Sequence, residues 1–281
     1  MKLVRFGEPG FEKPGLVDDE GVVRDLCAHV DDFSGEALDP ANIAKLGSHD
    51  ISSLPKIEPG TRLGPPVTGT RNFIGIGLNY ADHAAEAGLR IPREPVLFNK
   101  IASCICGPCD DVMMPFEGEK LDYEVELAFV IGKRARYVDE SEVGDFIAGY
   151  CICNDVSERH FQTERSGQWV KGKSFETFGP IGPWLVTADE LDIKNLGMWL
   201  DVNGERRQGG NTSNMVFQIP YMLSYISRFM ILEPGDVVTT GTPPGVALGM
   251  KPPVWLKVGD EMACGIDGLG EQRQKIVAFK K

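Results

Sequence analysis

The chain has 281 residues, 42% hydrophobic and 25% charged, with 29 basic against 41 acidic side chains and a net charge of −12. These globular values exclude a disordered, collagen-like or coiled-coil chain and leave one large domain, or one large plus one small. The acid excess argues against nucleic acid or an anionic membrane as partner. No apolar run approaches a membrane span and no charged-then-apolar leader follows Met1, so a cytoplasmic protein is expected.

The 33 glycines and 19 prolines favour a turn-rich, β-containing fold over a helical bundle. Met1–Gly7 and Gly21–Leu26 read as short strands and Pro40–Leu46 as a short helix. Together they suggest a small N-terminal domain over residues 1–70. Four prolines and three glycines between Ser52 and Thr70 mark its end. From residue 71 to 281 the texture is that of a larger domain. Asn72–Gly77 is a buried-type strand, and Asn79–Leu89 a short helix with Asn79 as its cap and Gly88 at its end. Val96–Asn99 is a further strand. Along Tyr123–Ile131 the alternation puts Val125, Leu127 and Phe129 on one face, with Glu124, Glu126 and Ala128 on the other.

Glu140–Ile147 suits a helix, Tyr150–Asn154 a strand, Ser157–Arg165 a helix and Ile181–Thr187 a strand. Leu200 to Arg207 forms a hairpin around Asn203-Gly204, the pair a type I′ turn requires. Ile219–Phe229 is helical with Pro220 in its first turn. Asp236–Thr240, Val254–Val258, Glu261–Gly265 and Gln274–Phe279 complete the strands. The sum is α+β but mostly β, a mixed sheet roll or barrel-like shape.

Seven cysteines in such a chain read as reduced thiols. Cys106-Gly-Pro-Cys109 has redox spacing, yet Asp110 to Pro115 is a poor start for the helix such a motif needs. Buried small hydrophobes account for Cys104, Cys151 and Cys153 more simply than a zinc cluster does.

Four groupings carry possible chemistry. Glu124 and Glu126 point the same way from one strand, and repulsion between them needs a cation, an arginine or solvent. Asp155, at the end of another strand, can join them as a third oxygen ligand for Mg²⁺ or Mn²⁺, or simply cap a helix. His83 and Glu86, at i and i+3, suit either an oriented general base or an ordinary polar pair on a surface helix. Lys173 in Lys171-Gly-Lys173-Ser lacks phosphate-loop spacing. It fits a cation for an enolate or a solvated loop charge. Thr240-Gly-Thr242-Pro-Pro-Gly-Val246 is a rigid turn that can aim a hydroxyl and amides at a ligand, or only end a strand.

Taken together, Asp122-Tyr-Glu-Val-Glu-Leu-Ala, Asn154-Asp-Val-Ser-Glu-Arg-His-Phe-Gln162, Gly172-Lys-Ser-Phe and Thr240-Gly-Thr-Pro-Pro-Gly-Val occur in the order seen in the fumarylacetoacetate hydrolase family. Gly77-Leu-Asn-Tyr-Ala-Asp-His-Ala-Ala-Glu86 resembles that family's helix with its His–Glu pair. The resemblance spans about residues 71–281. It implies a mixed β-roll catalytic fold, a homodimer, and a divalent cation, Mg²⁺ or Mn²⁺, on Glu124, Glu126 and Asp155. It further implies His83 and Glu86 as the water-activating pair and Lys173 as the active-site lysine. Gln162, Thr242 and Arg159 would contact substrate.

Family members include acylpyruvate hydrolases, oxaloacetate decarboxylases, and isomerases and hydratases of 2-oxo acids. Over its whole length the chain looks most like the branch that cleaves 2,4-diketo-3-deoxy-L-fuconate or L-rhamnonate to pyruvate and lactate. Such sequences also carry the label ureidoglycolate lyase, whose substrate lacks a 2,4-dioxo chelate. Competent residues at every motif position speak against a non-catalytic metabolite-binding module. A hydrolase acting on carbon–carbon bonds of ketonic substrates, in sugar-acid catabolism, is therefore expected.

Overall fold

The computed structural model describes residues 1–82 and 90–281. The first part holds strands β1 (Lys2–Phe6), β2 (Lys13–Val17), β3 (Val23–Asp25) and β4 (Phe73–Gly77). Next come β5 (Val96–Lys100), β6 (Ile105–Cys106), β7 (Val112–Met113), β8 (Leu121–Asp122), β9 (Val125–Ile131), β10 (Ile147–Asn154) and β11 (Ser157–Glu158). The last are β12 (Gly179–Thr187), β13 (Gly197–Val202), β14 (Glu205–Asn211), β15 (Val237–Thr239), β16 (Glu261–Ile266) and β17 (Gly270–Val277).

Among the described residues these strands make two mixed sheets and one short pair. The ten-stranded sheet runs β3-β2-β1-β12-β10-β9-β15-β4-β5, with β6 beside β12. The five-stranded sheet runs β14-β13-β16-β17-β7, and β8 pairs with β11. Neither sheet closes into a ring. The fold is mostly β, as expected, but as open sheets packed together rather than as a barrel.

The central strands explain the hydrophobic pattern. All seven residues of β9 and all eight of β10 are buried, so each strand is apolar on both faces apart from Glu126 and Asn154. β13 and β16 pack on β9, and β17 packs on β10 and β12. The acids of β9 therefore point into the interior of the molecule rather than into water. The first three strands extend the large sheet through pairing of β1 with β12, and Leu3, Leu16, Leu26, Phe33 and Leu38 join the common core.

Several elements differ from the sequence reading. Ser157–Arg165 is not one helix. Ser157–Glu158 pairs with β8, and a short π-type helix follows over His160–Glu164. The Glu158 carboxylate causes the switch by accepting the backbone N–H groups of Glu119, Lys120 and His160, which staples the segment to the β8 approach. Val254–Val258 is not a strand. It follows Pro252-Pro253 and makes a single bridge, Leu121 to Leu256, while Val254 and Val258 stay exposed.

Glu140–Phe146 forms 3₁₀ turns instead of an α-helix. The Asn79 side chain reaches across the fold. It is buried, donates to the carbonyls of Thr240 and Phe217, and accepts from the Phe217 amide. The remainder of the 79–89 helix, with His83 and Glu86, lies outside the described residues. Asn203 and Gly204 have φ of 52° and 79°, as the hairpin turn demands.

Candidate metal centre and active site

Strand register assembles the acidic cluster. Glu126 lies opposite Cys153 and Val125 opposite Asn154 in the β9–β10 pair, and the Asp155 amide donates to the Glu124 carbonyl at 2.8 Å. Asp155 thus leaves β10 at the level where Glu124 enters β9. Glu124, Glu126 and Asp155 are buried, and each offers an oxygen within 4.8 Å of the others. Among the described residues this is the one such group of possible metal ligands.

Three cations surround these acids. Lys173 Nζ donates to Glu124 Oε2 at 2.5 Å and to Asp155 Oδ2 at 2.6 Å. Arg159 Nη2 donates to Glu124 Oε1 at 2.5 Å, Nε to Asp122 Oδ2 at 2.8 Å, and Nη1 to Gln162 Oε1 at 2.9 Å. Lys100 Nζ donates to Asp155 Oδ1 at 2.6 Å. Asp122 also accepts the amides of Ala247 and Leu248, which ties the arginine to the turn after Thr242.

The cluster's charge is unevenly shared. Burial alone would raise the Glu124 carboxyl, but Arg159 and then Lys173 hold it well below the usual range. Among the described residues, no cation bonds to Glu126. Burial pushes its carboxyl well up, the neighbouring Asp155 and Glu124 add to this, and Lys173 and the Gly241 amide offset only part. Its Oε2 accepts the Gly241 N–H at 2.8 Å, and Oε1 takes no hydrogen bond from the described residues. Burial opposes the charge on Lys100, yet Asp155 beside it raises that ammonium overall.

Two glycines permit these approaches. Gly241 has φ of +94°, and a Cβ there would meet Asn79 Cβ at 2.9 Å, so a side chain would displace the N–H that faces Glu126. A Cβ on Gly172 would lie 2.6 Å from both Gln162 Cβ and the Glu158 carbonyl oxygen, so only glycine lets the Lys173 helix dock there. Thr242 Oγ1 donates to the Val125 carbonyl at 2.9 Å and accepts from Gln208 Nε2 at 2.8 Å. Gln162 spends its oxygen on Arg159. Its Nε2 has no partner among the described residues and is available to a ligand.

The structure therefore brings together Glu124, Glu126, Asp155, Arg159, Gln162 and Lys173, with Thr242 on the adjoining turn. Lys100, Asp122 and Gln208 escaped the sequence reading. A lysine ending the apolar run Val96–Asn99 was the available signal for Lys100. Nothing in the spacing marked Gln208, which reaches the site from the second sheet.

The donor set fits a hard divalent cation. It offers three buried carboxylates, and one Glu126 oxygen is without a partner among the described residues. A family model described as fumarylacetoacetate (FAA) hydrolase C-terminal matches residues 72–277. The chain belongs to this family of enzymes.

It is similar in structure to a fumarylacetoacetate hydrolase from Exiguobacterium antarcticum, at 36% identity over 99% of this chain and 100% of the other, with a TM-score of 0.87. A 5-carboxymethyl-2-hydroxymuconate delta-isomerase from Mycobacterium smegmatis matches at 31% identity over 100% of both chains, TM-score 0.79. A maleylpyruvate hydrolase from Sphingobium sp. SYK-6, solved with manganese(II) and pyruvate, matches at 28% identity over 100% of both, TM-score 0.83. Among the described residues, no helix is long and apolar enough to cross a membrane.

The cysteines take no part in the centre. Cys106 begins a turn rather than a helix, and burial raises its thiol well above the ordinary value. All seven cysteines are free, and Cys151, Cys153 and Cys264 are raised in the same way, chiefly by burial.

Proposed function

We propose that this protein hydrolyses the C3–C4 bond of a 2,4-dioxo acid, releasing pyruvate and a second acid. The substrate we assign is 2,4-diketo-3-deoxy-L-fuconate or L-rhamnonate, with lactate as the second product. The observation that carries this reading is charge. Among the described residues, Asp122, Glu124, Glu126 and Asp155 face only Lys100, Arg159 and Lys173; with every acid ionised this leaves one buried negative charge, and burial pushes the Glu126 carboxyl well up, so it holds a proton until a cation takes its place. A divalent ion on Glu124, Glu126 and Asp155 would turn that into one positive charge. The carboxylate of a 2-oxo acid is the matching anion.

When bound, Mg²⁺ or Mn²⁺ supplies Lewis acidity toward the carboxylate and keto oxygens of such an acid. The remaining work falls to the chain. We assign His83, oriented by Glu86, to take a proton from the water that attacks C4, as the family resemblance implies. Lys173 and Gln162 Nε2 are donors for the oxyanion that develops there. Each nitrogen of Arg159 donates to a protein acceptor, so it acts by holding Glu124 and Gln162 in place as well as by its charge. Thr242 orients substrate from the Gly241 turn. The catalytic unit is residues 71–281, to which residues 1–70 add three strands, and it works in the cytoplasm as a homodimer.

The deciding assay is a panel of 2,4-dioxo acids with Mg²⁺ or Mn²⁺, read as pyruvate plus a second acid. Similarity to an isomerase keeps one alternative on the same site. Isomer or CO₂ without pyruvate cleavage would replace hydrolysis by isomerisation or decarboxylation.

A further inference from the structure

We propose that Lys100 is a positioning residue of the acidic centre, fixing which oxygen of Asp155 is offered to a cation and where the Lys173 backbone lies. The proposal rests on the cation reading of Glu124, Glu126 and Asp155. Lys100 ends β5, the outer strand of the large sheet, opposite Phe73 in the register. Its side chain nevertheless runs inward and is 0% exposed. The ammonium lies 5.7 Å from the Phe73 ring centroid.

Each of its three protons has a protein acceptor: Asp155 Oδ1, the Lys173 carbonyl and, at 3.4 Å, the Val156 carbonyl. A group so committed has no proton facing a substrate, and it therefore acts through others. Asp155 needs such support. It stands just beyond the end of β10, where its carboxylate would otherwise turn about its own axis. Lys100 claims Oδ1, so Oδ2 is the oxygen turned toward Lys173 and Glu124 Oε2.

The bond to the Lys173 carbonyl ties the end of helix Val170–Lys173 to the same ammonium. One buried charge thus sets both a ligand carboxylate and the lysine that shares it. Partners of this kind around metal ligands typically matter by about 10–100-fold in metal affinity or activity.

The sign of one measurement separates positioning from a plain charge effect. Lys100 adds positive charge beside the cation site. If charge were its whole role, Lys100→Met would tighten Mn²⁺ binding. If it positions Asp155, the same change weakens Mn²⁺ by about 10–100-fold, despite the lost repulsion. The full-length protein is stripped of metal, titrated with MnCl₂ alone by calorimetry, and its folding checked by thermal melting. Lys100→Gln keeps a donor without the charge. It serves where Lys100→Met fails to fold, and weaker Mn²⁺ binding is again expected.

On the turnover side, at saturating Mn²⁺, kcat should fall with KM for the dioxo acid little changed, because the Gln162 and Thr242 side chains assigned to substrate are intact. Unchanged or tighter Mn²⁺ binding in a folded variant overturns the proposal, as does a lower melting temperature with normal Mn²⁺ affinity and kcat. A wild-type protein that binds no Mn²⁺ overturns the cation reading first and this inference with it. Wild-type binding with an unaffected variant overturns only the role of Lys100.

Discussion

Around Arg62, near the junction with residues 1–70, Asp110 grips the guanidinium with both oxygens at 2.7 and 2.6 Å, and Glu12 adds a contact at 3.0 Å. The Arg62 and Asp110 side chains are each 24% exposed there, and water shares their charge. Around Glu126 the acids again outnumber the cations, but every member is buried. A surplus charge that solvent settles at the first site is settled at the second by a proton on Glu126 or by a bound cation, since leaving a buried ion unpaired costs several kcal/mol. Paired charges near the surface build a clasp; the same groups in deficit at the core build a candidate cation site.

The strongest break of this contrast is metal removal. Exhaustive chelation should reduce activity to background, and Mg²⁺ or Mn²⁺ should restore it. Zinc is not the expected native ion, because the ligand set is all oxygen. Full activity after chelation, with metal content verified by mass spectrometry, would make the acid surplus structural. Next in size, Glu126→Ala should weaken Mn²⁺ binding by more than the roughly 100-fold typical of losing an outer partner, with activity lost in parallel. It should do so without unfolding the chain, since it also removes the least well paired acid.

Proton transfer is separable from cation binding. His83→Ala should lower kcat by roughly 10²–10⁴, the usual worth of a positioned base, while oxalate affinity in Mg²⁺ stays near normal. Glu86→Gln should lower kcat less, if its work is to orient His83. Wild-type hydrolysis in His83→Ala would remove the dyad and favour isomerisation or decarboxylation. Proton exchange at C3 of pyruvate in D₂O, followed by NMR, would show whether enolisation survives.

The centre was largely legible in the sequence because its chemistry is local along the chain. Two acids two residues apart on an apolar strand can only face one way, and an Asp closing the next strand meets them through an ordinary antiparallel register. The family motifs then gave Arg159, Gln162 and Lys173 their places. What escaped depends on long-range packing. Lys100 sits on an edge strand, where a lysine is expected in solvent. Its inward course depends on the Lys173 helix lying across β5, which no spacing encodes. Glu158 looked like part of a helix face, and its capture of three amides from another segment converted that face to strand and π-turn. The open sheets, too, follow from pairings such as β1 with β12, separated by most of the chain.

At the clasp the expectations concern stability. Asp110→Ala removes a bidentate ion pair and the acceptor of the Gly107 amide, bonded at 2.6 Å. Hydrogen bonds to charged groups contribute about 1.5–3 kcal/mol, and partial exposure places this loss toward the lower end. Urea unfolding should show that loss with an unchanged Mn²⁺ affinity. A fall in Mn²⁺ affinity would mean the clasp and the centre are coupled, and the contrast between them would fail.

The smallest effect is expected inside the same turn. Cys106 has its thiol pushed well up by burial, with Asp110 and Cys104 adding to the effect, so it is protonated at neutral pH and a poor nucleophile. Its Sγ lies 3.5 Å from the Thr177 carbonyl, an acceptor a serine hydroxyl can also use. Cys109 is exposed and follows Pro108, whose carbonyl is taken by the Arg273 amide and Gln274 Nε2, so the turn is held by its backbone rather than by a disulfide. Cys106→Ser and Cys109→Ser should each keep kcat within about twofold and stability within about 1 kcal/mol under reducing conditions. The check is steady-state kinetics beside urea melts, repeated after mild oxidation. A turnover that needs both sulfurs, or that stops on reduction, would show redox chemistry in the Cys106-Gly-Pro-Cys109 turn and place a second reactive centre where the structure shows only a clasp.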